Sequence, residues 1–556
     1  MRVLTALFDT LRKLDGQGYG AYRQVAGTYE SASLRVDIRR VQPDPFAPPS
    51  VVRIRIARNR TPLDTAILDD APSRAVIIAL EDTLAHALVA ECAACSEREG
   101  VGAIRLACNG QTVLERDSVI LFDDVVEIRA RVPLPGPRRR IDGHAAAILF
   151  ERVLCQAVNA VLVSAERLDV EKARRAIALA REQEHLRGWL RGENLVAFIA
   201  DGSQLARRSG RDDRPLAAVA SATPSHAPSA FARTAPSTLG DARRGLVVKP
   251  GVTVIIGGGY HGKSTLLSAL ARGVYNHREG DGREGVVTEP TAMLIRAEDG
   301  RAVFDCDIST FLADLPGGVD TKRFRSLNAS GSTSQAANVV EAIAAGCRTL
   351  LIDEDTSATN FLVRDPIMEA LVPSEPITPF VRRVRALYEQ HRISTVIVTG
   401  ASSQFLAVAD HVVLMDAFRA VDATEPARHR VNFNAISVPV DLGRTRAELG
   451  DHGVRARRRL SVRVDGCNEV ALTDREGGMQ ADMRRVPQVI EADQLRAIGE
   501  MFRCAAASDD FSTLTPQDLD DALAARLASL EADGTLARPR RQELLAAFFR
   551  MQRSIE

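Results

Sequence analysis

The chain has 556 residues, with 72 basic and 72 acidic side chains, a length of three or four domains at about 150 residues each. Hydrophobic residues make up 45% and charged residues 26%. These are ordinary values for a globular chain with a full core, and they exclude collagen-like, coiled-coil and wholly disordered classes. The zero net charge hides an asymmetry: residues 1–250 carry 36 basic and 30 acidic side chains, residues 251–556 carry 36 and 42. A whole-chain electrostatic case for a polyanion partner fails, and only a local one survives. The basic residues are 67 arginines and only 5 lysines, so each lysine marks a position worth inspecting.

In chain order, MRVLTALFDTLRKLDG reads as an amphipathic helix without the small-residue cleavage site of a signal peptide. Residues 20–60 alternate in the strand manner, Val, Leu and Ile against Arg35, Arg39, Arg53 and Arg55, which predicts one buried and one basic face. Cys92 and Cys95 form a CxxC in an alanine-rich helix. Zinc needs a second pair or a histidine cluster, so two small, partly buried residues are expected. The eight scattered cysteines point to a reducing compartment, the cytoplasm. Strand-like runs follow at Gly102–Cys108 and Val125–Val132, then Arg138, Arg139 and Arg140 after a PLPGP turn. Residues 143–190 read as helices, and the apolar run Ala145–Val163 is interrupted by Glu151 and Arg152, so no membrane span is expected. Residues 217–239 are rich in Ala, Ser, Thr and Pro with one charge, Arg233, and read as a linker. Beyond it, apolar strands alternate with helices, the pattern of a parallel α/β sheet. A mixed tail begins near 431, with VRARRRLSVRV preceding helical segments.

The chemistry lies in the α/β part. Gly257-Gly258-Gly259-Tyr260-His261-Gly262-Lys263-Ser264 satisfies G-x-x-x-x-G-K-[ST], after the strand VTVII and before the helix-forming TLLSALARGV. In such a loop backbone N–H groups, Thr265 included, close around phosphates, the lysine reaches the β- and γ-phosphates, and the serine hydroxyl ligates Mg²⁺. Lys263 is thus one of the five lysines, at a position where a compact ammonium is required. Thr349–Asp353 followed by Glu354 is an apolar strand ending in two acids, 90 residues after Lys263. This Walker B pattern assigns Asp353 to Mg²⁺ and Glu354 to the attacking water. Between them, Ser330-Gly331-Ser332-Thr333-Ser334-Gln335 opens a helix 23 residues before Asp353. Such a turn presents N–H groups and a positive dipole end to an anion.

That spacing resembles the signature loop of ABC-class ATPases, with the glutamine two positions late. The resemblance implies that Ser330, Gly331, Ser332, Thr333 and Gln335 contact the γ-phosphate held by a second copy. Ser357 and Asn360 stand in the place of the D-loop, at the same interface. Two parts of the pattern are altered. No glutamine occupies the loop near Ile295–Arg301, where Glu298 or Asp299 would contact Mg²⁺ or its waters unless the segment is a solvated turn. Thr399-Gly400-Ala401-Ser402-Ser403-Gln404 replaces the switch histidine. No aromatic before Val247 is placed to stack on adenine, so base specificity is open.

GGGYHGKSTLL, RGVYNHREGDGRE, IRAEDGR, NASGSTSQAAN, LLIDEDTSATNFLVRD and TLARPRR, together with the N-terminal GAYRQVAGTYE and VQPDPFAPPS, closely resemble the stand-alone bacterial ATPases of the ABC class. That family has relatives among trypanosome mitochondrial RNA-editing accessory proteins. The expected fold is therefore α/β, a P-loop NTPase core of ABC-ATPase type with flanking α+β N-terminal and C-terminal domains. Expected boundaries are 1–142 for the N-terminal domain, 143–216 for a helical joining segment, 217–240 for the linker, 241–430 for the core and 431–556 for the C-terminal domain. The expected activity is Mg²⁺-dependent ATP hydrolysis by a head-to-tail homodimer working on single-stranded RNA or another nucleic acid, with no membrane partner. Arg53, Arg55, Arg138, Arg139, Arg140, Arg207, Arg208, Arg457, Arg458 and Arg459 are the candidate phosphate contacts. The alternatives are a nucleic-acid-binding module using ATP as a structural clamp, a transporter ATPase subunit and a P-loop kinase.

Overall fold

The computed structural model describes residues 2–553 apart from 69–70, 109, 210–211, 217–222, 373, 432–436, 450–459, 474–476, 507–512 and 526–532. The chain divides into two compact units, one of residues 1–181 with 525–538, the other of residues 182–524 with 539–556.

The first unit is built on a six-stranded sheet in the order Arg2–Val3, Gly27–Glu30, Arg35–Arg40, Ser50–Ala57, Val125–Val132, Val119–Leu121. Its strands alternate as the sequence predicts. Val36, Ile38, Val52, Ile54, Ile56, Val126 and Ile128 fill a core shared with the helix Arg74–Glu99. Cys92 and Cys95 are buried in that core as free thiols, and burial pushes Cys92 up to about 12. No group of three or more His, Cys, Asp or Glu among the described residues is arranged to hold a metal. The run Gly143–Val163 is one helical stretch after all, with π-helical segments at Leu149–Cys155 and Asn159–Val163. By length and composition it could cross a membrane, and it is mostly buried within the protein. Glu151 and Arg152 do not interrupt it, because each points outward to a partner, Arg12 and Glu99 respectively.

On the opposite face of the sheet Arg35 and Arg39 are exposed, but Arg53 and Arg55 correct the expectation of a free basic surface. Arg53 is only 2% exposed. Arg55 donates to Glu127 at 2.7 Å, and Arg129 to the same carboxylate at 2.6 Å. The strand Val125–Val132 pairs in register with Ser50–Ala57, which sets Glu127 opposite Arg55 and Arg129 opposite Arg53. Residues 533–538 return to this unit. Their N–H groups at Gly534 and Leu536 donate to Asp117 at 2.9 and 2.7 Å, and Asp533 accepts from Arg131 at 2.6 Å.

The second unit centres on a six-stranded sheet in the order Met293–Ile295, Thr349–Asp353, Ser394–Val398, Val252–Gly257, His411–Asp416, Arg419–Asp422. All but the last strand run parallel. Their continuous apolar runs, such as LLI at 350–352, match a sheet buried on both faces. A second, antiparallel sheet contains Val286–Thr288, Ala197–Ala200, Arg243–Val248 and Ala232–Ala235. Ala232–Ala235 lies in the stretch read as a linker from composition. It is a strand because its backbone pairs with Arg243–Leu246 while Phe231 and Ala235 are buried. Toward the end of the chain, the strands Ser461–Asp465, Glu469–Thr473, Gly478–Asp482 and Gln552–Arg553 form a further sheet.

Candidate active site

The parallel sheet brings three chain ends together at its carboxyl edge: residues 257–263 after the strand Val252–Gly257, Asp353–Glu354 after Thr349–Asp353, and Thr399–Ala401 after Ser394–Val398. This edge is where open α/β sheets bind ligands. The first is a loop closing onto the helix Lys263–Arg272. Two of its glycines are required. Gly257 has φ +147, and a Cβ there would meet the Met415 backbone oxygen at 2.3 Å. Gly262 has φ +95, and a Cβ would sit 2.7 Å from the Phe418 ring. Gly258 and Gly259 are exposed and Tyr260 is fully exposed at the tip. His261 faces the hairpin at Ala417 and accepts its N–H on Nδ1 at 3.3 Å.

The ammonium of Lys263 donates to the carbonyls of Gly257 and Gly258, both at 2.8 Å. The Ser264 hydroxyl hydrogen-bonds the carboxylate of Asp353, which also accepts the Asp355 N–H at 3.2 Å. Burial pushes the Asp353 pKa upward, and these two hydrogen bonds oppose the shift. Two hard oxygen donors, one at the first turn of a helix and one at a strand end, suit a small divalent cation that keeps several waters.

Glu354 is half-buried beside them. Its Oε2 accepts three hydrogen bonds: the Thr399 hydroxyl at 2.8 Å, the Gly400 N–H at 2.8 Å and the Ala401 N–H at 3.1 Å. A Cβ built on Gly400 would lie 3.7 Å from the Lys263 ammonium. The segment in the place of a switch histidine therefore orients Glu354 next to the lysine. Three charge-assisted donors on one oxygen fix the carboxylate strongly.

Ser330 caps the helix Gly331–Ala344 and is exposed, with its hydroxyl 3.1 Å from that of Thr333. Gln335 corrects one expectation. It is 0% exposed, donates to the Ser357 hydroxyl at 2.9 Å and accepts the Ala358 N–H at 2.8 Å, so both ends of its amide serve the chain's own D-loop segment. Ser332 likewise donates to Asn360 at 2.6 Å. The glutamine is enclosed because the whole helix stretch from Ser332 to Ala342 is buried.

Glu298 is also redirected. It is 7% exposed and accepts from Arg550 at 2.6 Å and Asn338 at 3.0 Å, whose neighbours Arg301 and Glu341 complete a buried network. Both of its carboxylate oxygens are taken by this network. Asp299 remains exposed, within 3.0 Å of where a Cβ on Gly331 would stand.

Of the predicted phosphate-contacting arginines, Arg207 is engaged with Asp281 at 2.8 Å. Arg138, Arg139, Arg140 and Arg208 are exposed, Arg140 donating to the Gly16 carbonyl at 2.9 Å. Arg457, Arg458 and Arg459 lie outside the described residues.

Three family models match the chain: a P-loop domain of ABC ATPases over residues 169–438, the N-terminal domain of ATPases of the ABC class over 4–165, and the MRB1590 C-terminal domain over 462–555. An uncharacterized protein, MJ1628 of Methanocaldococcus jannaschii, is 30% identical over 176 residues, which is 31% of this chain and 38% of that relative's length. Among solved structures, cbiO1 from Clostridium perfringens, part of the ABC transporter complex cbiONQ, is 13% identical with a TM-score of 0.25, covering 42% of this chain and 91% of its own. The ADP conformation of MJ1267, an ATP-binding cassette of an ABC transporter, is 14% identical with a TM-score of 0.22, covering 34% of this chain and 87% of its own.

Proposed function

We propose that this chain, which belongs to the ABC-class ATPases, binds MgATP on the loop 257–265 and hydrolyses it with Glu354 orienting the attacking water. The observation that carries hydrolysis is the anchoring of Glu354 by Thr399, Gly400 and Ala401 beside Lys263. With Oε2 held, Oε1 is the oxygen that meets the water and takes its proton. Lys263 exchanges the Gly257 and Gly258 carbonyls for the β- and γ-phosphate oxygens. Ser264 and Asp353 hold the Mg²⁺, which when bound neutralises charge developing on the phosphates.

Ser330 and Gly331, at the exposed start of their helix, serve the γ-phosphate of a second copy in a head-to-tail homodimer. Ser332 and Gln335 act from behind, tying that helix to the D-loop residues Ser357 and Asn360. Residues 241–430 are the catalytic core, flanked by the other two domains, in a cytoplasmic protein. The partner is single-stranded RNA, contacted by Arg138, Arg139 and Arg208. One observation supports the clamp alternative: the segment 399–401 stands where a switch histidine is expected and spends its donors on Glu354, which favours slow basal turnover. Phosphate release with and without single-stranded RNA, across 50–200 mM salt, separates the two. RNA stimulation that fades with salt supports the coupled ATPase; indifference to RNA at every salt concentration contradicts it.

A further inference from the structure

Beside the phosphate loop lies an open cleft of about 60 Å³. Leu205, Leu246, Thr265, Leu266, Met415 and Phe418 line it, with Thr223 and Ser225 supplying hydroxyls. Gly262 and Thr265 belong both to the cleft wall and to the phosphate loop, so a ligand whose phosphates occupy the loop has its remaining part directed here.

Phe418 is the unusual member. The strands His411–Asp416 and Arg419–Asp422 pair Asp416 with Arg419, leaving a two-residue turn of Ala417 and Phe418. Both have positive φ, 44 and 65. Such turns favour Asn-Gly, because a side chain in the left-handed region is strained. A bulky aromatic held there against conformational preference, 40% exposed at the mouth of an apolar cleft, is not accounted for by the turn itself. The turn is fastened to the phosphate loop, with the Phe418 N–H donating to the His261 carbonyl at 3.1 Å and the ring lying against Gly262.

We infer that this cleft is the nucleoside subsite, with the purine base of the triphosphate stacked on Phe418. The inference rests on the ATPase reading above and adds the residue that reads the base. Stacking recognises the π-face of any base, more strongly for the larger rings, so selectivity is for purine over pyrimidine. The aromatic sits after the phosphate loop in sequence, which is why no candidate precedes Val247.

The test is calorimetric titration of the full chain with MgATP, MgGTP, MgCTP and magnesium tripolyphosphate. Wild type should bind both purine nucleotides more tightly than MgCTP. Phe418→Ala should weaken MgATP about tenfold and leave tripolyphosphate affinity unchanged. Phe418→Gly should do the same while raising or preserving thermal stability, since glycine relieves the turn. Phe418→Trp should retain MgATP binding. Lys263→Ala should lose MgATP and tripolyphosphate together, and its failure to do so would sink the phosphate-loop reading itself. If Lys263→Ala loses both ligands while the Ala and Gly variants of Phe418 bind MgATP as wild type does, the base subsite is wrong and the ATPase reading stands.

Discussion

Replacing Glu354 by Gln removes one negative charge and almost nothing else. The amide oxygen can still accept the Thr399 hydroxyl and the N–H groups of Gly400 and Ala401, at the 2.8–3.1 Å now occupied by Oε2. The loop 399–401 and the neighbouring Lys263 therefore keep their places, and nucleotide affinity should change by less than about threefold. What is lost is proton acceptance from the attacking water, a contribution of roughly 10²–10⁴ in rate, or about 3–5 kcal/mol in the barrier. Glu354→Ala should bring the same rate loss together with weaker nucleotide binding, because three donors then lose their acceptor. The assay is single-turnover phosphate release from MgATP, with binding measured separately. Wild-type single-turnover rates in Glu354→Gln would refute the assignment. So would an equal loss of affinity in both variants, because then the carboxylate would act only as the anchor of its loop.

Thr399→Ala removes one of the three donors to Glu354 and should lower turnover about tenfold without changing the fold, measured by steady-state phosphate release and circular dichroism. Arg550→Met leaves the buried Glu298 without the guanidinium that pairs with it, keeping only the Asn338 amide, and should destabilise the chain by about 3 kcal/mol; a melting temperature unchanged in differential scanning fluorimetry would contradict this. Ser330→Trp places bulk at the helix start proposed to face a second copy, so ATP-dependent dimerisation in light scattering should be lost while the monomer still binds ATP. Glu81, buried in the first unit, has its pKa pushed up to about 7, mainly by burial. A folded-state pKa above the unfolded value stabilises fully below about pH 4.5 and is lost as pH rises through 7, a change of about 3 kcal/mol. Glu81→Gln should flatten the fall in stability between pH 5 and 8; an unaltered slope would show that another group sets it.

The contiguous parts of the site were readable from the sequence, because Lys263, Ser264, Asp353 and Glu354 are placed by their own strands and turns. What could not be read depends on pairing across distance. Arg55 reads as free in the sequence because Glu127, its acid, arrives 72 residues later on a strand whose register no local pattern gives. Gln335 resembles a phosphate contact in the sequence, but its helix is buried throughout residues 332–342 and its amide is taken by Ser357 and Ala358. Glu298 lost its cation role to Arg550, which reaches it from the far end of the chain. The return of residues 533–538 to Asp117 left no trace in composition. Phe418 was hidden for a different reason. An aromatic in a hairpin reads as core, and only the two positive φ angles and the cleft beside it distinguish its position.

The most direct test is steady-state phosphate release from MgATP by the purified chain, with Lys263→Ala measured in parallel. Expected is Mg²⁺-dependent release by the wild type that falls to background in the variant. Release that continues undiminished in Lys263→Ala, or a wild type that binds MgATP but releases no phosphate in the presence or absence of RNA, would contradict hydrolysis at this site.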